Sequence, residues 1–312
     1  RMVEDPLAAA QALAPILGTD VATVRARLES DTAFEYLARQ VDDETAAAVR
    51  AQRISGVFIQ DEPTRTYPAG QTAQAVLGRA DIDGLGVSGL ELQFDDVLTG
   101  TPGEVLYERS LNGVSIPVGE HQLQPAEPGD DVVLTLDRSL QYVVEETLAQ
   151  QILATGAQGG MVVAMVPGTG EILAMANLVV DDETGEVVPT GYNAAVVDSF
   201  APGSVIKLVT IGASLEEGES TPDELVSVPH GITYGGHLFQ DATLHGDEVW
   251  PLSQVLVESS NVGAINVGLE LGSERVGSYL DRFGFGRTTG LGFPGESSGL
   301  VRPWDEWRGS DL

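Results

Sequence analysis

The sequence predicts an α/β protein of the α+β kind, built from roughly two domains in series. Three observations carry this. The chain has 312 residues, more than one core usually organises, since cores stop growing near about 250–300 residues. Residues 6–53 repeat apolar side chains at helical spacing, whereas the second half opens on two apolar strand-like runs. Between them Gly156–Gly160 reads as a linker, which sets the expected division: a mixed domain over residues 1–155 and a second one over 156–312.

The elements follow in order. Pro6–Leu17 and Val21–Leu28 read as helices, the second with Asp20 as N-cap, and Glu44–Arg53 as a third. Gly56–Gln60 reads as a strand. The corner Tyr67-Pro68-Ala69-Gly70 leads into a helix over Thr72–Leu77, and glycines 84, 86 and 89 mark turns before another at Leu90–Leu98. Gly103–Arg109 and Val114–Val118 flank Asn112-Gly113, a strong hairpin signal. Val132–Leu136 is a further strand, and Asp137 caps the long helix Ser139–Ile152. Met161–Val166 and Glu171–Asn177 form a hairpin about Pro167–Gly170. The apolar run Val205–Leu215 then reads as a helix, as do Leu252–Glu258 and Val262–Leu271 on either side of Ser259-Ser260-Asn261.

Composition excludes several classes of function. There are 47 acidic against 16 basic residues, a formal charge of −31, so nucleic acid and anionic membrane surfaces are disfavoured as partners. The absence of cysteine removes disulfides, a thiol nucleophile and Cys-type zinc sites. A hydrophobic content of 42% is that of a globular protein, and no run approaches the ~18–20 uninterrupted apolar residues of a membrane span. The chain opens on Arg1, with neither methionine nor signal peptide, and reads as an excerpt.

Fifteen of the sixteen basic residues are arginine, and the single lysine is Lys207. Pro202-Gly203 forces a turn, so Ser204 falls in the first turn of the following helix, where free N–H groups and the positive dipole end favour developing negative charge. Lys207, about one turn on, stacks beside the Ser204 hydroxyl. Ile206 and Leu208 can desolvate its ammonium, lower its pKa and let it act as a base. Ser259-Ser260-Asn261 is a second polar cluster: its hydroxyl and amide could relay a proton and hold a peptide group, or it is a plain helix cap.

Taken together these segments resemble a known family. Phe200-Ala201-Pro202-Gly203-Ser204-Val205-Ile206-Lys207 resembles the active-site segment of class B penicillin-binding proteins, the monofunctional D,D-transpeptidases. Val257-Glu258-Ser259-Ser260-Asn261-Val262-Gly263 is similar to their Ser-x-Asn motif. Arg65-Thr66-Tyr67-Pro68-Ala69-Gly70, Val76-Leu77-Gly78, Gly89-Leu90-Glu91 and Leu134-Thr135-Leu136-Asp137 are similar to their pedestal, or dimerisation, region. Phe283-Gly284-Phe285-Gly286, Thr289-Gly290 and Phe293-Pro294-Gly295-Glu296 match the stretch after Ser-x-Asn, and the overall pattern is most like the division-specific type.

The resemblance implies a mixed pedestal followed by a transpeptidase domain, and a role for each motif residue. Ser204 would attack the penultimate D-Ala carbonyl of a peptidoglycan stem peptide, and its backbone N–H would supply half of the oxyanion hole. Lys207 would take the serine proton, Ser259 would pass a proton to the leaving amine, and Asn261 would hold the substrate amide and orient Lys207. It further implies lipid-linked precursor as substrate, β-lactams as inhibitors, a glycosyltransferase partner in the division machinery, no cofactor or metal, and anchoring at the extracytoplasmic face of the cell membrane by an N-terminal helix. The family's third motif, Lys-Thr-Gly, is absent, since the one lysine is already placed. Arg287-Thr288-Thr289-Gly290 is rejected as its substitute because it falls in the glycine stretch after Ser-x-Asn. An internal fragment is therefore expected, with an incomplete transpeptidase domain and little β-lactam reactivity of its own. The rival readings are a D,D-carboxypeptidase or β-lactamase, and a non-catalytic β-lactam sensor or division scaffold.

Other signals are set aside. His230, His237 and His245 match no compact metal-ligand spacing. Asp42-Asp43-Glu44 and Asp181-Asp182-Glu183 read as solvated loops, and residues 83–89 as turn punctuation, because they follow no parallel strand and lack the lysine of a phosphate-binding loop.

Overall fold

The structure, a computed structural model, describes residues 3–107, 121–308 and Asp311. Contacts group the chain into two compact units, Arg1–Gly70 with Ala80–Leu85, and Gln71–Arg79 with Gly86–Leu312.

The first unit is helical. Pro6–Leu17, Val21–Leu28 and Asp43–Ala51 are helices, each opened by an aspartate whose side chain accepts a first-turn N–H. Asp20 fills that role as expected, from Thr23. Asp42, assigned from sequence to a solvated loop, instead caps the third helix through the Thr45 N–H. Ala10, Leu13, Ala14, Val24 and Val49 form the core between them. The Arg39 guanidinium bridges Glu62 and Asp83, which fastens the 80–85 segment to this unit. The strand expected at Gly56–Gln60 is not formed. Val57 and Ile59 pack on the core while Phe58 is exposed, so the alternation has its cause in burial. No neighbouring strand pairs with it among the described residues.

In the second unit the helix expected over Thr72–Leu77 is limited to Gln74–Leu77, and that over Leu90–Leu98 breaks at Phe94 into Gly89–Gln93 and Asp95–Leu98. Gly78 and Gly89 lie where two backbones touch. A Cβ on Gly78 would stand 1.9 Å from the Ser88 carbonyl oxygen, and one on Gly89 2.6 Å from the Gly78 Cα. Both also have positive φ, so only glycine fits. Glu104–Tyr107 pairs antiparallel with His121–Gln124. The Asn112-Gly113 turn and Val114–Val118 lie outside the described residues. Val132–Leu136 makes no ladder among the described residues; it is tied down by the Thr135 hydroxyl donating to the Ile172 carbonyl.

The helix capped by Asp137 runs from Arg138 to Thr155 and ends on Gly156 in the left-handed region. Gly159 already begins a strand, so Gly156–Gly160 is a helix cap and a strand start. That strand, Gly159–Met165, pairs antiparallel with Ile172–Val180, which pairs in turn with Val187–Pro189. The third strand reaches only Leu178. Beyond it, the Met175 N–H and C=O are satisfied by the amide of Gln141, buried on the long helix, at 2.8 and 2.9 Å. Asn177 continues the same logic: its side chain holds Asn193 and the Ala195 N–H, which places the short helix Ala194–Val197 just ahead of the Ser204 segment.

The main core of this unit joins four helices, Lys207–Glu216, Leu252–Val257, Asn261–Leu271 and Ser273–Arg282, to the strand Leu225–Val228. Leu252, Val255, Val262 and Val267 are essentially inaccessible, and burial of each such side chain contributes about 1.5–3 kcal/mol. The helices carrying Lys207 and Asn261 thus share one rigid core.

Candidate active site

Ser204 enters the site on a 3-10 turn, Gly203–Ile206, that runs into the helix Lys207–Glu216. Gly203 takes φ +59, the conformation glycine adopts most readily, directly after Pro202. In a 3-10 turn residues i and i+3 eclipse, so Ser204 and Lys207 stack more directly than an α-helix would allow. The Ser204 side chain is exposed, while Lys207 is only 7% exposed.

Lys207 Nζ is the hub. It lies 3.2 Å from Ser204 Oγ, 3.1 Å from Ser259 Oγ and 2.7 Å from Asn261 Oδ1, and also donates to the Ser259 carbonyl. The structure therefore brings Ser204, Lys207, Ser259 and Asn261 together. Burial pushes the Lys207 pKa below its ordinary 10.5, and the Asp241 carboxylate opposes that fall.

The Ser-Ser-Asn segment divides its labour. Ser260 is the helix cap: its buried hydroxyl accepts the Gly263 N–H at 2.9 Å. Ser259 adopts φ +54, a left-handed conformation that costs a non-glycine residue free energy. That conformation accompanies a carbonyl and a hydroxyl both turned to Lys207. Asn261 donates its side-chain N–H to the Gln240 carbonyl at 2.9 Å, which fixes its Oδ1 toward the lysine.

The sequence offers no signal for Gln240 and Asp241, and presents His245 only as a metal-ligand candidate that its spacing rejects. Asp241 Oδ1 accepts the Asn261 and Val262 N–H groups at 2.6 and 2.9 Å, and Oδ2 lies 3.0 Å from His245 Nε2. Burial would raise the Asp241 pKa, but hydrogen bonds from Ser260, Val262, His245 and Asn261 hold it below 3.8. The Gly246 carbonyl and then Asp241 raise that of His245 above 6.5. Strand pairing delivers these residues: Leu225–Val228 lies against Glu248–Pro251, so the chain between them folds back on the start of the Asn261 helix. His230 belongs to the same loop, its ring 2.8 Å from the His245 carbonyl and 3.0 Å from the Gln240 amide. Arg287-Thr288-Thr289-Gly290 lies in an irregular loop, Arg287 paired with Asp281 and Thr289 bonded to Glu296.

Comparison with known proteins bears on this geometry. The family model of the penicillin-binding protein dimerisation domain matches residues 2–134, and that of the penicillin binding protein transpeptidase domain matches residues 160–312. The penicillin-binding protein PbpB of Mycobacterium tuberculosis is 41% identical over 295 residues, covering 93% of this chain and 43% of that protein. Peptidoglycan D,D-transpeptidase FtsI of Escherichia coli is 30% identical over 303 residues, with 95% and 50% covered. The chain spans about half the length of the curated relatives it matches. Among solved structures, penicillin binding protein 3 of M. tuberculosis in complex with ampicillin superimposes with a TM-score of 0.67 at 39% identity, over 78% of this chain and 51% of that one. With both domains matched in order, and relatives aligned along nearly its whole length, the chain belongs to the class B penicillin-binding proteins.

Proposed function

We propose that this chain carries the pedestal, residues 1–155, and the first part of the transpeptidase domain, residues 156–312, of a peptidoglycan D,D-transpeptidase that crosslinks stem peptides in the wall built at division. The observation that carries the reading is Lys207 Nζ, partly desolvated and within hydrogen-bond reach of Ser204 Oγ, Ser259 Oγ and Asn261 Oδ1.

As the free base, Lys207 accepts the Ser204 proton while Oγ bonds to the carbonyl carbon of the penultimate D-Ala. The Ser204 N–H, near a helix start, meets the developing oxyanion. The amide C–N bond then breaks, and the departing D-Ala nitrogen gains a proton through the Ser259 hydroxyl, replenished from the Lys207 ammonium. An amine from a neighbouring stem peptide attacks the acyl-serine, forms the crosslink and returns the proton to Ser204 Oγ. Asn261 keeps Lys207 aimed throughout. A β-lactam presents a strained amide to the same serine, and the ampicillin-bound relative supports this part of the reading.

No helix among the described residues is long and apolar enough to cross a membrane. Anchoring at the outer face of the cell membrane, by a helix N-terminal to residue 1, and a glycosyltransferase partner at the division site belong to the same proposal. The test is covalent labelling of the full-length gene product by a fluorescent penicillin. Labelling of the wild type and its loss in Ser204→Ala are expected; equal labelling of both would overturn the assignment.

A further inference from the structure

We propose that Asp241, with His245 behind it, is the positioning residue that holds Ser259 and Asn261 against Lys207. The inference rests on the reading of Lys207 as the base and goes beyond the four motif residues. Ser259 sits in a left-handed conformation that needs an external hold. Lys207 cannot supply that hold through a catalytic cycle, because a base that gives and takes protons changes its own hydrogen bonding.

Asp241 grips the segment by its main chain. One carboxylate oxygen takes the N–H groups of both Asn261 and Val262, so the start of the helix Asn261–Leu271 is pinned by its main chain. The adjacent Gln240 carbonyl sets the side-chain amide of Asn261. The other oxygen of Asp241 meets His245 Nε2, and His245 Nδ1 lies 2.7 Å from the Gly246 carbonyl, so both ring nitrogens face acceptors. The His245 ring also stands 5.1 Å from that of Trp250, on the strand Glu248–Pro251. Asp241 and Glu248 are the charged groups acting on His245, while His245 and Lys207 are the charges near Asp241. The carboxylate has a second effect: its charge favours the protonated lysine and offsets part of the fall that burial imposes.

The lysine titration makes this measurable. In the full-length gene product labelled with 13C-lysine at Cε, the Lys207 resonance is identified by its loss in Lys207→Gln, and following its shift with pH needs no activity. Asp241→Asn keeps the shape and the acceptor for the Asn261 and Val262 amides but removes the charge. Its Lys207 midpoint is expected to fall below the wild-type value, because the charge that favours the ammonium is gone. An unchanged or raised midpoint, the result a merely structural aspartate would give, would overturn the proposal. Asp241→Ala removes the grip, and in the full-length gene product penicillin acylation is expected to slow by roughly tenfold or more. His245→Ala frees one carboxylate oxygen and is expected to slow it by less than Asp241→Ala. Acylation of Asp241→Ala at the wild-type rate would also sink the proposal. Failure of the wild-type product to acylate at Ser204 would instead remove the transpeptidase reading, while the lysine titration still decides the charge coupling.

Discussion

The helical unit and the catalytic cluster are fastened in opposite ways. In the former, each helix start is fixed by an aspartate three residues from its partner: Asp5 to Ala8, Asp20 to Thr23, Asp42 to Thr45. In the latter, Lys207 reaches partners 52 and 54 residues away, and Asp241 reaches Asn261 across 20. Local fastening yields stability with little dependence on the rest of the fold. Distant fastening yields a site that exists only once a core of four helices has formed. The lesson is that the chemistry depends on the packing but the packing does not depend on the chemistry.

That asymmetry can be broken from either side. The largest expected effect is on acylation. Lys207→Gln in the full-length gene product should lower the second-order rate with penicillin by about a thousandfold, roughly 4 kcal/mol, with a near wild-type melting temperature. A rate within tenfold of wild type would remove Lys207 as the base. Next comes the helical core: Leu13→Ala should cost about 3 kcal/mol in denaturant unfolding of the first unit, since Leu13 is fully buried. Asp20→Ala should destabilise the first unit through its lost cap, by less than Leu13→Ala does, and leave acylation unchanged. A slowed acylation in Asp20→Ala would show that the fastening is less local than the hydrogen bonds suggest.

The smallest effect concerns pH. The folded His245 pKa is raised, so its stabilising contribution is full below about 6.5 and is lost as pH rises through the folded value. The Asp241 pKa is lowered, so its contribution is full above about 3.8 and is lost as pH falls through the folded value. Both act together between roughly pH 4 and 6.5. The melting-temperature advantage of wild type over His245→Gln should therefore shrink from pH 6 to pH 9. A constant difference would mean that His245 carries no linked proton.

Legibility in the sequence follows the same division. Ser204 and Lys207 could be read because a Pro-Gly break and a spacing of three residues are local facts, even though the turn proved to be 3-10. Ser259 and Asn261 were readable through the resemblance, and the structure added that Ser260 between them is the cap. Asp241 and His245 were not readable: no periodicity connects them to Asn261, and only the pairing of Leu225–Val228 with Glu248–Pro251 folds their loop back. His245 was weighed as a metal ligand on spacing alone, whereas its partner is a carboxylate four residues before it. At Gly56–Gln60 and Val132–Leu136, β-like patterns recorded burial and extension but not a neighbouring strand, which single-segment alternation cannot encode.

The central claim is that the protonation of one lysine governs the serine. It is tested most directly by setting two curves side by side: the titration of 13C-labelled Lys207, and the rate of penicillin acylation of the full-length gene product against pH. The account predicts a lysine midpoint below 10.5 and an acid limb of the rate profile that rises with it. An ordinary midpoint, or a rate that ignores the lysine's titration, would contradict it.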